Sequence, residues 1–434
     1  MKSNKKRLLS REYRRSLAFL LKWTFIAVIS GIIGTGIVQG FNFILTKSSI
    51  FFSQTLNFLP VWPILGAVLC GTIFYRFSPG SAGEGIPSYL RGLHKNRGIL
   101  DPKETFFKFW AALSTLATFG NGGLVGPLGR VSAGAMSFLA KRIKRLKFNE
   151  WDIRTATICG LAATVGTIFH SSIGGGIFAV EIVQKTEMRY RDLFPAILSS
   201  STAVFFSKAL GWETFYPIRA VQEFMDPKLL WALLLFAVLT GFIGKGFTEL
   251  YIQVSRIFRR ETSRNIIFKV LAGSIVAGFI AWLINPNLMG TSRSIIDALF
   301  REDTELLYGN LPQAVPFFLI LLILLIVKSL GNCITVGSGM SAGFTGPAAI
   351  IGMLAGASWA HVFGLTPASA NYTSFIAAGF SGLLASTMNI PIAAAVLTIE
   401  SFGLQYSFPA GIAAIIAFQV NKHDTIYDYS KTIK

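Results

Sequence analysis

The chain has 434 residues, of which 52% are hydrophobic and only 14% are charged; a soluble domain carries about 25% charged residues. Lipid is therefore its main solvent, which sets aside the common soluble classes. The net charge of +19 comes from basic clusters at 2–15, 91–103, 141–147 and 256–264, each flanking apolar segments. That placement reads as positive-inside loops; no nucleic-acid partner is expected.

In chain order, residues 1–16 form a basic segment expected in the cytoplasm. The apolar run 17–45 holds one charge, Lys22, and exceeds the roughly 20 residues that cross a bilayer. It is too long for the h-region of a cleavable signal. Runs at 229–244 and 317–327 are similarly apolar, whereas 194–208 and 379–391 are short and broken by Gly or Pro. With 42 Gly and 16 Pro, full spans mixed with broken and re-entrant helices are predicted. Irregular backbone survives at membrane depth only where it is buried in protein or lines a wet cavity, which points to transport. Cys70, Cys159 and Cys333 lie in apolar segments without metal-ligand spacing and read as small buried hydrophobes. No metal or other cofactor is expected.

The chain repeats itself. His170–Glu181 and Asn389–Glu400 share one plan, polar residue to closing glutamate, 219 residues apart. Gly160 and Gly379 share that spacing, and Gly126-Pro127 matches Gly346-Pro347 at 220. Two membrane units follow, 17–210 and 229–422, joined by a linker at 211–228 and ending in a tail at 423–434.

Three glycine-rich turns precede helical patterns: Gly83-Glu84-Gly85-Ile86-Pro87, Gly122 to Pro127, and Gly337 to Pro347. Glycine permits a tight turn and close backbone approach, and Pro is tolerated in a first helical turn. Each turn would present free N–H groups at a positive helix end, an anion site without a fixed cationic side chain. Such a site suits conduction, because a full positive charge would retard release. Close helix packing through small residues is the competing account of these glycines.

These turns resemble those of the CLC family of chloride channels and chloride/proton exchangers. Gly83–Pro87 is similar to that family's GSGIP turn, Gly123–Pro127 to its GREGP turn, and Gly343–Pro347 to its GxFxP turn. Tyr427 stands where the family places its pore tyrosine. The resemblance covers about 20–430. It implies an all-α integral membrane protein, an inverted repeat of tilted, broken and re-entrant helices, and a homodimer with one pore per subunit. With the chain ending at Lys434, it also implies a bacterial or archaeal inner-membrane form without C-terminal regulatory domains. The matched anion-pathway positions are Glu84, Gly85, Ile86, Pro87, Val125, Gly126, Phe344, Thr345 and Tyr427.

Several of these positions depart from the family pattern. Its outer gating glutamate falls on Val125, which carries no proton. Its inner proton-transfer glutamate aligns with Ile182, and its central serine with Glu84. In the third turn Thr345 takes the family's aromatic position, and Phe344 comes one residue early. Two placements of Glu84 stay open: a helix-end carboxylate facing water, or an intramembrane carboxylate in the pore, able to repel anions or carry protons. The expectation is a passive channel for chloride or a similar small anion, and not an enzyme. The alternative is a transporter coupled to protons through Glu84. A distant alternative is a serine hydrolase, because Gly339-Met340-Ser341-Ala342-Gly343 matches G-x-S-x-G; that motif needs a preceding strand and a nearby base.

Overall fold

The computed structural model describes residues 2–56, 61–143, 149–183, 190–216, 218, 224–259, 266–301, 303–367 and 369–427. Parts of the basic clusters (144–147 and 260–264), of the linker (217 and 219–223) and of the tail (428–434) lie outside the described residues.

The first half comprises α1 Lys2–Leu56, α2 Val61–Thr72, α3 Ile86–Lys95, α4 Pro102–Ala117, α5 Val125–Arg142, α6 Glu150–Phe169, α7 Gly174–Glu181 and α8 Tyr190–Ala209. The second comprises α9 Leu230–Arg259, α10 Ile266–Ile284, α11 Arg293–Arg301, α12 Thr304–Tyr308, α13 Phe317–Gly337, α14 Thr345–Val362, α15 Ala370–Met388, α16 Pro391–Phe402 and α17 Ser407–Val420. Four stretches are long and apolar enough to cross a bilayer, Ser16–Phe52, Pro227–Phe258, Ile266–Ile284 and Phe317–Gly337. Many of the remaining helices are shorter or stop inside the protein. Almost every residue of α6 and α15 is buried, as expected of helices surrounded by other helices.

The two halves are related by inversion. Gly123 N–H donates to Gly343 O at 2.9 Å, and Gly343 N–H returns the bond to Gly123 O at 2.8 Å, forming an antiparallel bridge. These residues are 220 apart. An antiparallel exchange between equivalent residues places a local two-fold axis between them, as an inverted repeat requires.

The same axis relates pairs that the repeat motifs alone left out. A 3-10 turn at Pro79–Ser81 precedes α3, and another at Pro286–Leu288 precedes α11. Gly83 N–H donates to Gly339 O at 3.0 Å, while Gly290 N–H donates to Phe119 O at 3.0 Å. Both turn glycines have positive φ, +65° and +62°. Each half therefore pins its turn onto the other half.

A second reciprocal pair closes the interface. Glu181, at the end of α7, accepts from Ile392 N–H at 3.1 Å and Ala393 N–H at 2.7 Å, where α16 begins. Glu400, near the end of α16, accepts from Ile173 N–H at 3.0 Å, Gly174 N–H at 2.8 Å and the Ser171 hydroxyl, where α7 begins. Each glutamate satisfies N–H groups that helix geometry leaves orphaned and places a carboxylate at a positive helix end. Glu181→Ala and Glu400→Ala should each lower stability by about 2 kcal/mol, the cost of stranding buried donors. Equilibrium unfolding in detergent checks this, and a neutral result for either would remove the reciprocal caps from the account.

Candidate anion site

The helices α3, α5 and α14 begin near the two-fold axis, with Pro87, Pro127 and Pro347 in their first turns. Their N-termini converge through backbone contact. A Cβ on Gly343 would lie 3.0 Å from Gly126 N, and one on Gly126 would lie 3.3 Å from Gly343 Cα. Glycine at both positions lets the backbones come this close without a Cβ pressing on the other half. Three positive helix ends thus share one buried volume.

Glu84 points into that volume. It is 7% exposed, its Oε2 accepts from Ile86 N–H, and its Oε1 lies where a Cβ on Gly126 would stand. Oε1 is buried and makes no hydrogen bond to a described residue; the Phe344 N–H faces the carboxylate from the other half. This corrects the expectation of a turn with free donors. At α3 the first N–H is already taken by the chain's own carboxylate, because residue 84 stands two positions before it and reaches back over the helix end. At Gly123 and Gly343 the donors are spent on the inter-half bridge.

The other matched positions surround Glu84 unevenly. Gly85 packs against Gly126, and Ile86 and Pro87 are buried in the first turn of α3. Val125 is fully buried at the start of α5 and presents no polar atom. Thr345 begins α14, with its hydroxyl 3.7 Å from Met388 Sδ. Phe344 packs on Tyr251 at 4.5 Å between ring centroids and on Tyr427 at 6.4 Å. Tyr427 is 2% exposed and faces Glu84 and Thr345. The tail reaches there because Ile426 N–H donates to Thr387 O at 3.0 Å. Ile182 is not part of this cluster: it caps the end of α7 as a buried apolar residue.

Sequence reasoning missed Lys108 on α4. It is 2% exposed, and its Nζ donates to Ser81 O at 3.0 Å and to Gly83 O. It fixes the turn that carries Glu84 and sets a positive charge against the carboxylate across that turn. The repeat held the signal, because Lys328 lies 220 residues later. Lys328 donates to Leu288 O at 3.2 Å, Gly290 O at 3.1 Å and the Ser292 hydroxyl at 2.7 Å. The Glu84 position of the second half holds Thr291, so Lys108 alone of the pair faces a turn carboxylate.

Ser341 is buried beyond the end of α13, with its N–H donating to the Thr115 hydroxyl at 3.2 Å. A helix stands where a nucleophile elbow needs a strand. His170 pairs with the Ser207 hydroxyl at 3.1 Å, and His361 packs on the rings of Phe317 and Tyr372.

A helical membrane protein built as an inverted repeat around converging helix N-termini is an anion-transport architecture. The model of the voltage gated chloride channel family matches residues 66–422; the chain belongs to this family, the CLC proteins, and its work is anion transport across a membrane. It is 28% identical over 425 residues to a protein of Methanocaldococcus jannaschii, covering 94% of this chain and 96% of that one. It is 25% identical over 417 residues to the H(+)/Cl(-) exchange transporter ClcA of Klebsiella pneumoniae, covering 91% and 83%. Among solved structures, a CLC-type fluoride/proton antiporter superposes with a TM-score of 0.78 at 21% identity, covering 96% of this chain and 99% of that one. A slow cyanobacterial Cl-/H+ antiporter superposes with 0.76 at 18% identity, covering 94% and 96%.

Removing the Lys108 charge should leave Glu84 buried without its counter-charge. Lys108→Met is expected to destabilise the fold by roughly 3 kcal/mol, and Glu84→Gln in the same chain should restore much of that loss. Unfolding of the two single variants and the double variant checks this; additive losses would show that the charges do not interact.

Proposed function

We propose that the protein is a passive pathway for chloride or a similar small anion, closed by the charged form of Glu84 and opened when that carboxyl is protonated. The observation that carries this reading is the Glu84 carboxylate, seated where three helix N-termini converge. A charged carboxylate there occupies the field that would draw an anion and repels any anion that enters. A neutral carboxyl becomes a hydrogen-bond donor and releases the site. Stoichiometric exchange asks in addition for a proton route on both sides of the centre. Val125 and Ile182, both buried and apolar, supply no carrier at the positions matched to the family's two glutamates.

The reading extends to an integral protein of a bacterial or archaeal inner membrane, acting without enzymatic chemistry. It places the N-terminus in the cytoplasm, because the basic segment, loop 91–103 and the start of α6 share one end of the molecule: Lys22 pairs with Asp152 at 2.7 Å, and Arg97 pairs with Glu150. Each subunit of a homodimer would hold its own pathway.

The test is chloride flux in proteoliposomes, with and without a pH gradient. A chloride gradient should dissipate, a pH gradient alone should move no chloride uphill, and the rate should rise as pH falls. Glu84→Gln should conduct at a rate that no longer depends on pH. The second reading, proton coupling through Glu84, is favoured by the exchange activity named for the Klebsiella relative. Uphill chloride movement that Glu84→Gln abolishes would establish it and overturn the passive reading.

A further inference from the structure

Besides Glu84 and Tyr427, a third polar group closes on the converging helix ends. Gly126 of α5 meets Glu84 Oε1 and Gly343 Cα; its equivalent Gly346 of α14 meets Tyr216 and Gly123 Cα. A Cβ on Gly346 would lie 2.8 Å from the Tyr216 hydroxyl oxygen and 3.1 Å from Gly123 Cα. The Tyr216 hydroxyl thus stands toward α14 as the Glu84 carboxylate stands toward α5. Because the two-fold axis inverts the halves, it stands on the opposite side of the crossing.

Tyr216 is built into that place. It is 9% exposed and stacks on Phe169 with ring centroids 4.9 Å apart and planes 4° from parallel. Its N–H donates to the Thr214 hydroxyl at 3.2 Å, and Phe215 N–H donates to Ile168 O at 3.4 Å. These contacts hold the backbone and ring, yet the hydroxyl makes no hydrogen bond to any described residue. Two residues earlier, Thr214 lines a cavity of about 660 Å³ together with His170, Arg293 and Arg301, with Glu213 and Asp297 pairing the two arginines.

We infer that the Tyr216 hydroxyl is the anion's donor at the mouth opposite Tyr427, forming a second seat with the N-terminus of α14. This rests on the proposed anion pathway and adds the residue that selects the ion on this side. The seat takes a small inorganic anion. A phenol offers a single neutral donor on a rigid body, so it binds without the charge that slows release.

The experiment measures half-saturating chloride separately from each face, in liposomes holding protein of uniform orientation. Tyr216→Phe keeps the ring stack and removes the donor. Half-saturation from the cavity side should rise about tenfold, as loss of a hydrogen bond to an ion implies, with the Tyr427 side unchanged. An unchanged value, or an equal shift on both faces, in a wild type that conducts would overturn the seat alone. A wild type that passes no anion would instead overturn the pathway on which it rests.

Discussion

The close backbone contact at the two-fold axis governs the rest of the structure. Gly123 and Gly343 exchange two hydrogen bonds there, and that exchange brings the first turns of α5 and α14 together. A side chain at Gly126 or Gly343 would press on the backbone of the other half at 3.0–3.3 Å, and on Glu84 as well at Gly126. In hydrocarbon, unpaired backbone N–H groups are costly, so the short helices persist only because the opposing half, or a side chain such as Glu181 or Glu400, meets their ends. The convergence of helix ends is therefore a property of the interface between halves, and neither half would build it alone.

At that interface the protein departs from strict symmetry where function is concerned. Lys108 and Lys328 do equivalent work, each bonding the carbonyls of a turn that the other half also grips. The turns themselves differ, with Glu84 in one and Thr291 in the other. A carboxylate at the meeting of three helix ends is stabilised by their fields, and Lys108 offsets its charge from behind. In the proposed reading, an arriving anion competes with a residue that already occupies the site. That competition is what the proposal uses to link anion passage to the protonation of one side chain.

Much of this was legible in sequence, for definable reasons. Paired motifs 219 and 220 residues apart revealed the duplication, and Gly–Pro turns marked helices that begin inside the protein. The repeat spacing alone did not give the inversion, because spacing carries no direction in space; only the family resemblance implied it, and the antiparallel bridge then supplied the two-fold relation between the halves. Lys108 escaped notice because a lone lysine on an apolar helix has no local pattern, and only Lys328 at the repeat spacing marks it. The orientation of Glu84 depended on a turn whose dihedrals no composition specifies. Tyr216 lay in a stretch that read as linker, where an aromatic residue gives no sign of reaching a helix end in the other half.

The central claim is that the Glu84 carboxylate and the transported anion compete for one place. Anomalous scattering from bromide-soaked crystals tests it directly. At acid pH, where the carboxyl is neutral, a bromide peak should appear between the first turns of α3, α5 and α14; at alkaline pH it should vanish, with Glu84 occupying the position. A peak of equal height there at both pH values, with Glu84 in place, would contradict the account.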